Sequence, residues 1–187
     1  MTYLLDNGTP IVKTHTITAN QRVTVNIATE DPALSSAAVS TRIDADQPVV
    51  AERSQYWPHP AWYEAHNSAG ETTAGTKWGL AEGRVGGATN AQTYILIANP
   101  GSQPATVTAT FLRTDGTTLV KTFAVGPTSR FTIAVTGASG SVPELVDESF
   151  ATVIDSTQPV IVGRSLYTDA NGATWSAGTH ATGTRLP

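Results

Sequence analysis

The feature that most limits what this chain can fold into is that it repeats itself. Tyr3 to Thr14 reads YLLDNGTPIVKT and Phe111 to Thr122 reads FLRTDGTTLVKT, an offset of 108 residues. Arg22-Val23-Thr24-Val25 matches Arg130-Phe131-Thr132-Ile133 at the same offset. Ser40 to Val50 (STRIDADQPVV) then matches Ala151 to Ile161 (ATVIDSTQPVI) at an offset of 111, so the second copy gains three residues in the intervening loop. Arg53-Ser54-Gln55-Tyr56 answers to Arg164-Ser165-Leu166-Tyr167, and Trp62 and His66 answer to Trp175 and His180. Trp78 to Val107 has no counterpart in the first copy. A fixed period of this kind marks an array of one structural unit. The 187 residues are therefore expected to hold a truncated copy, residues 1–77, and a complete copy, residues 78–187, with Met1 a trimmed boundary inside a repeat.

The unit reads as all-β. Hydrophobic residues make up 40 % of the chain, enough for a core, and charged residues only 14 %. The sequence is rich in Thr and Val, which suit a pleated, half-buried surface. In the complete copy, period-2 alternation and turn residues mark strands at Trp78–Glu82, Thr93–Asn99, Ala105–Arg113, Leu119–Val125, Arg130–Val135, Phe150–Ile154, Val160–Tyr167 and Thr174–Ala177. The turns fall at Pro100-Gly101, Asp115-Gly116 and Asp169–Gly172. Short strands at this spacing predict an antiparallel β-sandwich, immunoglobulin-like or transducer-like. The first copy should supply Thr2–Leu5, Ile11–Ile17, Arg22–Ile27, Ala38–Ile43, Val49–Tyr56 and Trp62–His66, with one helical turn near Pro32–Ser36.

Two resemblances follow from these residues. Trp78-Gly79-Leu80-Ala81-Glu82-Gly83 and Thr93 to Pro100 (TYILIANP), with Glu52-Arg53-Ser54-Gln55-Tyr56-Trp57 and His66-Asn67-Ser68-Ala69-Gly70, resemble a tandem β-sandwich repeat of large bacterial extracellular proteins of unknown function. The second copy departs from that pattern at Gly163, Thr168 and His180-Ala181-Thr182-Gly183, as a capping repeat can. The order of elements is also similar to the sensory rhodopsin transducer family, on the Trp-x-x-Ala-Glu-Gly strand and Ala151 to Val162. These resemblances imply a sandwich that can self-associate, in a secreted or cell-surface setting. The transducer resemblance adds a signalling adaptor as an alternative.

The chain shows little catalytic chemistry. No HExxH, GxSxG, P-loop or GxGxxG pattern occurs, and Cys is absent, which rules out thiolate sites and disulfides. Glu64, His66 and Ser68 alternate on one strand, but strand neighbours point in parallel and do not converge as a triad must. Asp44, Asp46, Asp155 and Asp169 sit beside turns without the spaced oxygen ligands of a calcium loop. Asn7-Gly8-Thr9 reads as a hairpin turn. The reading is of no enzyme, no metal and no cofactor. A net charge of −4 without a Lys/Arg cluster argues against nucleic acid, and no apolar run suits a membrane span.

The candidate site is the aromatic segment Tyr56-Trp57-Pro58-His59-Pro60-Ala61-Trp62-Tyr63, with His66, Trp175 and His180. Flat aromatics on a sandwich can stack sugars, which makes a carbohydrate-binding module one alternative. The favoured reading is a seam between repeats, because Thr168 stands in the second copy where Trp57 would recur. The function expected is a non-catalytic structural or adhesive repeat, with neighbouring repeats or a second copy of the chain as partners. The first copy lacks counterparts of Trp78–Glu82 and Thr93–Asn99, and a strand from elsewhere is expected to fill that gap.

Overall fold

The computed structural model describes residues 1–57 and 64–187. The first copy contributes β1 (Thr2–Leu4), β2 (Ile11–Val12), the one-turn helix α1 (Ile27–Glu30), β3 (Ser40–Arg42), β4 (Glu52–Trp57) and β5 (Glu64–Ala69). The remaining strands are β6 (Gly75–Arg84), β7 (Gln92–Asn99), β8 (Ala105–Arg113), β9 (Thr118–Val125), β10 (Ser129–Val135), β11 (Ser149–Ala170), β12 (Ala173–Thr182) and β13 (Thr184–Arg185). Every strand pairing is antiparallel.

Strand β11 organises the complete copy. Its first half, Ser149–Ser156, lies between β6 and β8; its second half, Ile161–Tyr167, lies between β7 and β12. One sheet therefore runs β9-β8-β11-β6-β13 and the other β10-β7-β11-β12. The sequence reading placed two strands here, yet they are one strand 22 residues long. The register breaks between Asp155 and Val160, around Gln158-Pro159. Pro cannot donate to a ladder, so it sits where β11 passes between the sheets. The space between the sheets holds Trp78, Ile95, Ile97, Phe111, Val125, Ile133, Leu145, Ile154 and Val162, all buried.

The first copy reproduces part of this unit residue by residue. Its sheet β2-β1-β3 pairs Tyr3 with Ile11 and with Thr41. The offset residues pair identically: Phe111 with Leu119 and with Thr152. The turns agree as well. Asn7 Oδ1 accepts from the Thr9 amide at 2.9 Å, and Asp115 Oδ1 accepts from the Thr117 amide at 2.9 Å. Gly8 (φ 75°) and Gly116 (φ 83°) take the left-handed conformation that such turns require. A further turn recurs where the Leu34 amide donates to Asp31 O at 2.9 Å and the Leu145 amide to Val142 O at 3.2 Å, each burying its Leu.

Two expectations for the first copy need correction, the first being that the strand expected over Ile11–Ile17 is only Ile11–Val12. Arg22–Ile27 is not a strand: residues 21–26 have no ladder partner, and Asn26 caps α1 by accepting from the Ala28 amide at 3.2 Å. The reason is visible in the complete copy, where the equivalent β10 pairs with β7 alone. Among the described residues no counterpart of β7 stands beside residues 21–26. For the same reason the counterpart of β11 breaks up, leaving β3 and β4 separated by residues 43–51 without strand structure. The helical turn expected near Pro32–Ser36 is there, as a 3₁₀ turn at Pro32–Leu34, and α1 precedes it.

Candidate functional site

The hairpin β4–β5 lies against the outer face of the sheet β10-β7-β11-β12. Alternation along β4 puts Arg53, Gln55 and Trp57 on one face, and along β5 Glu64, His66 and Ser68 join them. The matching residues of β11 are Arg164, Leu166 and Thr168, on the face that also carries the core residues Val160 and Val162. The hairpin thus turns the inward face of its own repeat onto the outward face of the next. The receiving surface is built from Tyr94 on β7, Ser165 and Tyr167 on β11, and Gly178 and His180 on β12.

Trp57 anchors the contact. It is 6 % exposed, and its indole N–H donates to the Trp175 carbonyl at 2.8 Å. Its ring meets Tyr167 edge-on at 5.4 Å and lies 5.2 Å from His66. Tyr167 stacks on Trp175 at 5.0 Å, and Tyr94 closes edge-on against both. The close approach depends on Gly178: a Cβ there would stand 2.7 Å from Trp57 and 2.6 Å from Tyr167. Trp175 itself has φ 52°, a conformation costly for a bulky residue. Its amide donates to Asp169 Oδ1 at 2.9 Å and its indole to Gln92 Oε1 at 3.2 Å, which hold it in place.

Beside the aromatics lies a polar group centred on Arg53. His66 and His180 stack at 5.4 Å. Arg53 Nη2 is 3.2 Å from His180 Nδ1, and Ser165 Oγ is 3.3 Å from the same nitrogen. Arginine only donates, so Nδ1 accepts and the ring is neutral with its proton on Nε2. Burial, then the charges of Arg53, His66 and Arg164, push the His180 pKa down to about 4. Burial and Arg53 also lower that of His66. Desolvation lowers the pKa of Arg53 and of Arg130, which is 5 % exposed and donates its amide to Leu5 O at 3.2 Å. The Nε atoms of Arg53 and Arg130 have no hydrogen-bond partner among the described residues.

The structure brings together Trp57, His66, Trp175 and His180. Tyr56 faces the other side of β4 and is largely exposed. Trp62 and Tyr63 lie outside the described residues. The strand ladder corrects one sequence equivalence. Ser54 stands opposite Asn67 as Ser165 stands opposite His180, so Asn67 and not His66 occupies the position of His180. A one-residue step on a strand changes the face, which is why the two histidines can meet across the contact. Among the described residues neither nitrogen of His66 has a hydrogen-bond partner, so His66, Ser68 and Glu64 do not form a triad. Sequence reading missed Arg53, Tyr94, Ser165, Tyr167 and Gly178. The conserved spacing between the copies flagged Arg53, Ser165 and Tyr167, but nothing marked which face they would use.

No protein-family model matches the chain, and no curated protein does. Among solved structures, the Thermotoga maritima protein 1070 is similar at 15 % identity and a TM-score of 0.53, over 60 % of this chain and 96 % of that one. The Anabaena sensory rhodopsin transducer is similar at 23 % identity and a TM-score of 0.40, over 49 % of this chain and 82 % of that one. The Thermotoga likeness is one of fold.

Proposed function

We propose that this chain is a non-catalytic repeat module of a secreted or cell-surface protein, and that its repeats are held in line by the hairpin-on-sheet contact. The carrying observation is Trp57: one copy inserts it among Tyr167, Gly178 and Trp175 of the next and bonds it to the Trp175 carbonyl. A ring enclosed in this way has no face free to stack a sugar. Arg53 and the stacked histidines add a directional element, since Arg53 reaches His180 only when the hairpin lies in this orientation. Fixed contacts between successive units are what give a repeat array its stiffness.

Small-angle scattering tests this on the full chain. Trp57→Ala combined with Arg53→Ala should enlarge the radius of gyration while the circular dichroism of the sandwich persists. Unchanged dimensions in that variant would overturn the reading. Saccharide binding abolished by Trp57→Ala, with the dimensions unaltered, would replace it with the carbohydrate module.

A further inference from the structure

Among the described residues, the first copy leaves open several positions that the second copy covers. Three aliphatic positions whose equivalents are buried in the second copy, and a fourth whose equivalent is half-buried, are open in the first copy. Ile17 is 45 % exposed against 1 % for its equivalent Val125, Ile43 43 % against 0 % for Ile154, and Val49 49 % against 0 % for Val160. Val23, equivalent to the half-buried Phe131, is 48 % exposed. Among the described residues, β3 has no strand along its second edge, where β11 has β6.

The residues that fill these places in the complete copy come from β6 and β7. Trp78 pairs with Ile154 in the ladder, and its indole donates to the Val160 carbonyl at 3.1 Å. Ile95 and Ile97 of β7 share the core with Val125, Ile154 and Val160, and β7 carries β10 along its edge. Glu82 of β6 accepts from Arg164 Nη1 at 2.5 Å through its carboxylate and at 3.2 Å through its carbonyl. Among the described residues Arg53, the equivalent of Arg164, forms no ion pair with a carboxylate; its Nη2 meets His180 and its Nε has no hydrogen-bond partner.

We infer that the first copy is an acceptor for a strand pair with the sequence character of β6–β7. The occupant places a Trp against the Val49 carbonyl, apolar residues over Ile17, Val23 and Ile43, and a Glu on Arg53. Filling the site joins β3 and β4 into one strand like β11 and draws Arg53 away from His180. Acceptance of the strand pair and docking of the hairpin are thus alternative uses of Arg53. The inference rests on the exposed positions and the repeat register, not on the seam of the proposed function.

The test adds a soluble peptide of residues 75–99 to the full chain. Saturable binding is expected, with hydrogen exchange slowed at residues 22–26 and 43–50. The Glu82→Gln peptide should bind roughly tenfold more weakly, the value of one hydrogen bond to a charged group. No binding, or binding indifferent to Glu82→Gln, overturns the inference. Because such a peptide can self-associate, a second arm places residues 75–109 directly ahead of Thr2 in the same chain. Residues 22–26 and 43–50 should then become protected. If they exchange as before while β7–β11 stay protected, the acceptor site does not exist. Occupancy should also shift the His180 ring resonances as Arg53 leaves Nδ1; unchanged resonances at saturation would overturn the exclusive use of Arg53.

Discussion

Truncating Trp57 to alanine should undock the hairpin and leave the sandwich standing. A Trp side chain buries roughly 150–250 Å², which at about 25 cal/mol per Å² corresponds to roughly 4–6 kcal/mol. Core Trp→Ala changes cost about 3–5 kcal/mol once relaxation is included. The bond to the Trp175 carbonyl adds about 1 kcal/mol. Trp57 sits at the contact of two layers, open along one side to a hairpin with only two strands, so collapse around the gap recovers part of this. About 3 kcal/mol is expected, roughly a hundredfold in the docking equilibrium. Native-state hydrogen exchange resolves it. Amides of β4 and β5 should lose about two decades of protection, and those of β7, β8 and β11 should keep theirs. Equal losses throughout would mean that the hairpin and sandwich open together. No loss in β4 and β5 would mean that Trp57 does not hold the contact.

Gly178→Ala puts a methyl group within 2.7 Å of both Trp57 and Tyr167, and should loosen the hairpin by about 1–3 kcal/mol as an overpacked contact does, read by the Trp57 indole resonance. Acidification should act on the same contact. His180 and His66 have folded pKa values below 6.5, so their contribution is complete above that pH and is lost as pH falls toward about 4. Hairpin protection should fall over that window in the wild type and less in His180→Gln; a flat profile would refute the neutral pair packed beside Arg53 and Ser165. Gly8→Ala and Gly116→Ala should cost similar amounts, about 1–2 kcal/mol each for a left-handed residue, measured by urea denaturation of β1–β2 and of the sandwich; unequal costs would show that the turns differ in the folded state.

Much of the fold could be read in the sequence because the chain carries its own alignment. Phe111 and Tyr3 recur with their Asx turns, and both copies pair them alike. What failed, failed where a strand's state depends on a neighbour. Arg22 to Val25 alternates as well as Arg130 to Ile133 does, but alternation alone forms no ladder, and the strand that pairs β10 has no counterpart there. The site was partly legible for a similar reason. Trp57 and Trp175 stood out as aromatics, whereas Gly178 is silent in sequence because its role is to be small beside two rings. His66 and His180 looked equivalent because both follow a Trp at a similar distance. Only the pairing of Ser54 with Asn67 shows that they come from opposite faces of the repeat.

Strand β11 also has a mechanical consequence. A tether pulling on this chain meets a single strand laced to β6 and β8 in one sheet and to β7 and β12 in the other. Neither sheet can be peeled off while the other holds, because both share that strand. Tension along β11 loads the four ladders in shear, so they resist together. The hairpin outside it is a two-stranded lever that can lift first. Stretched, this chain would lengthen at the β4–β5 hairpin before the sandwich gave way.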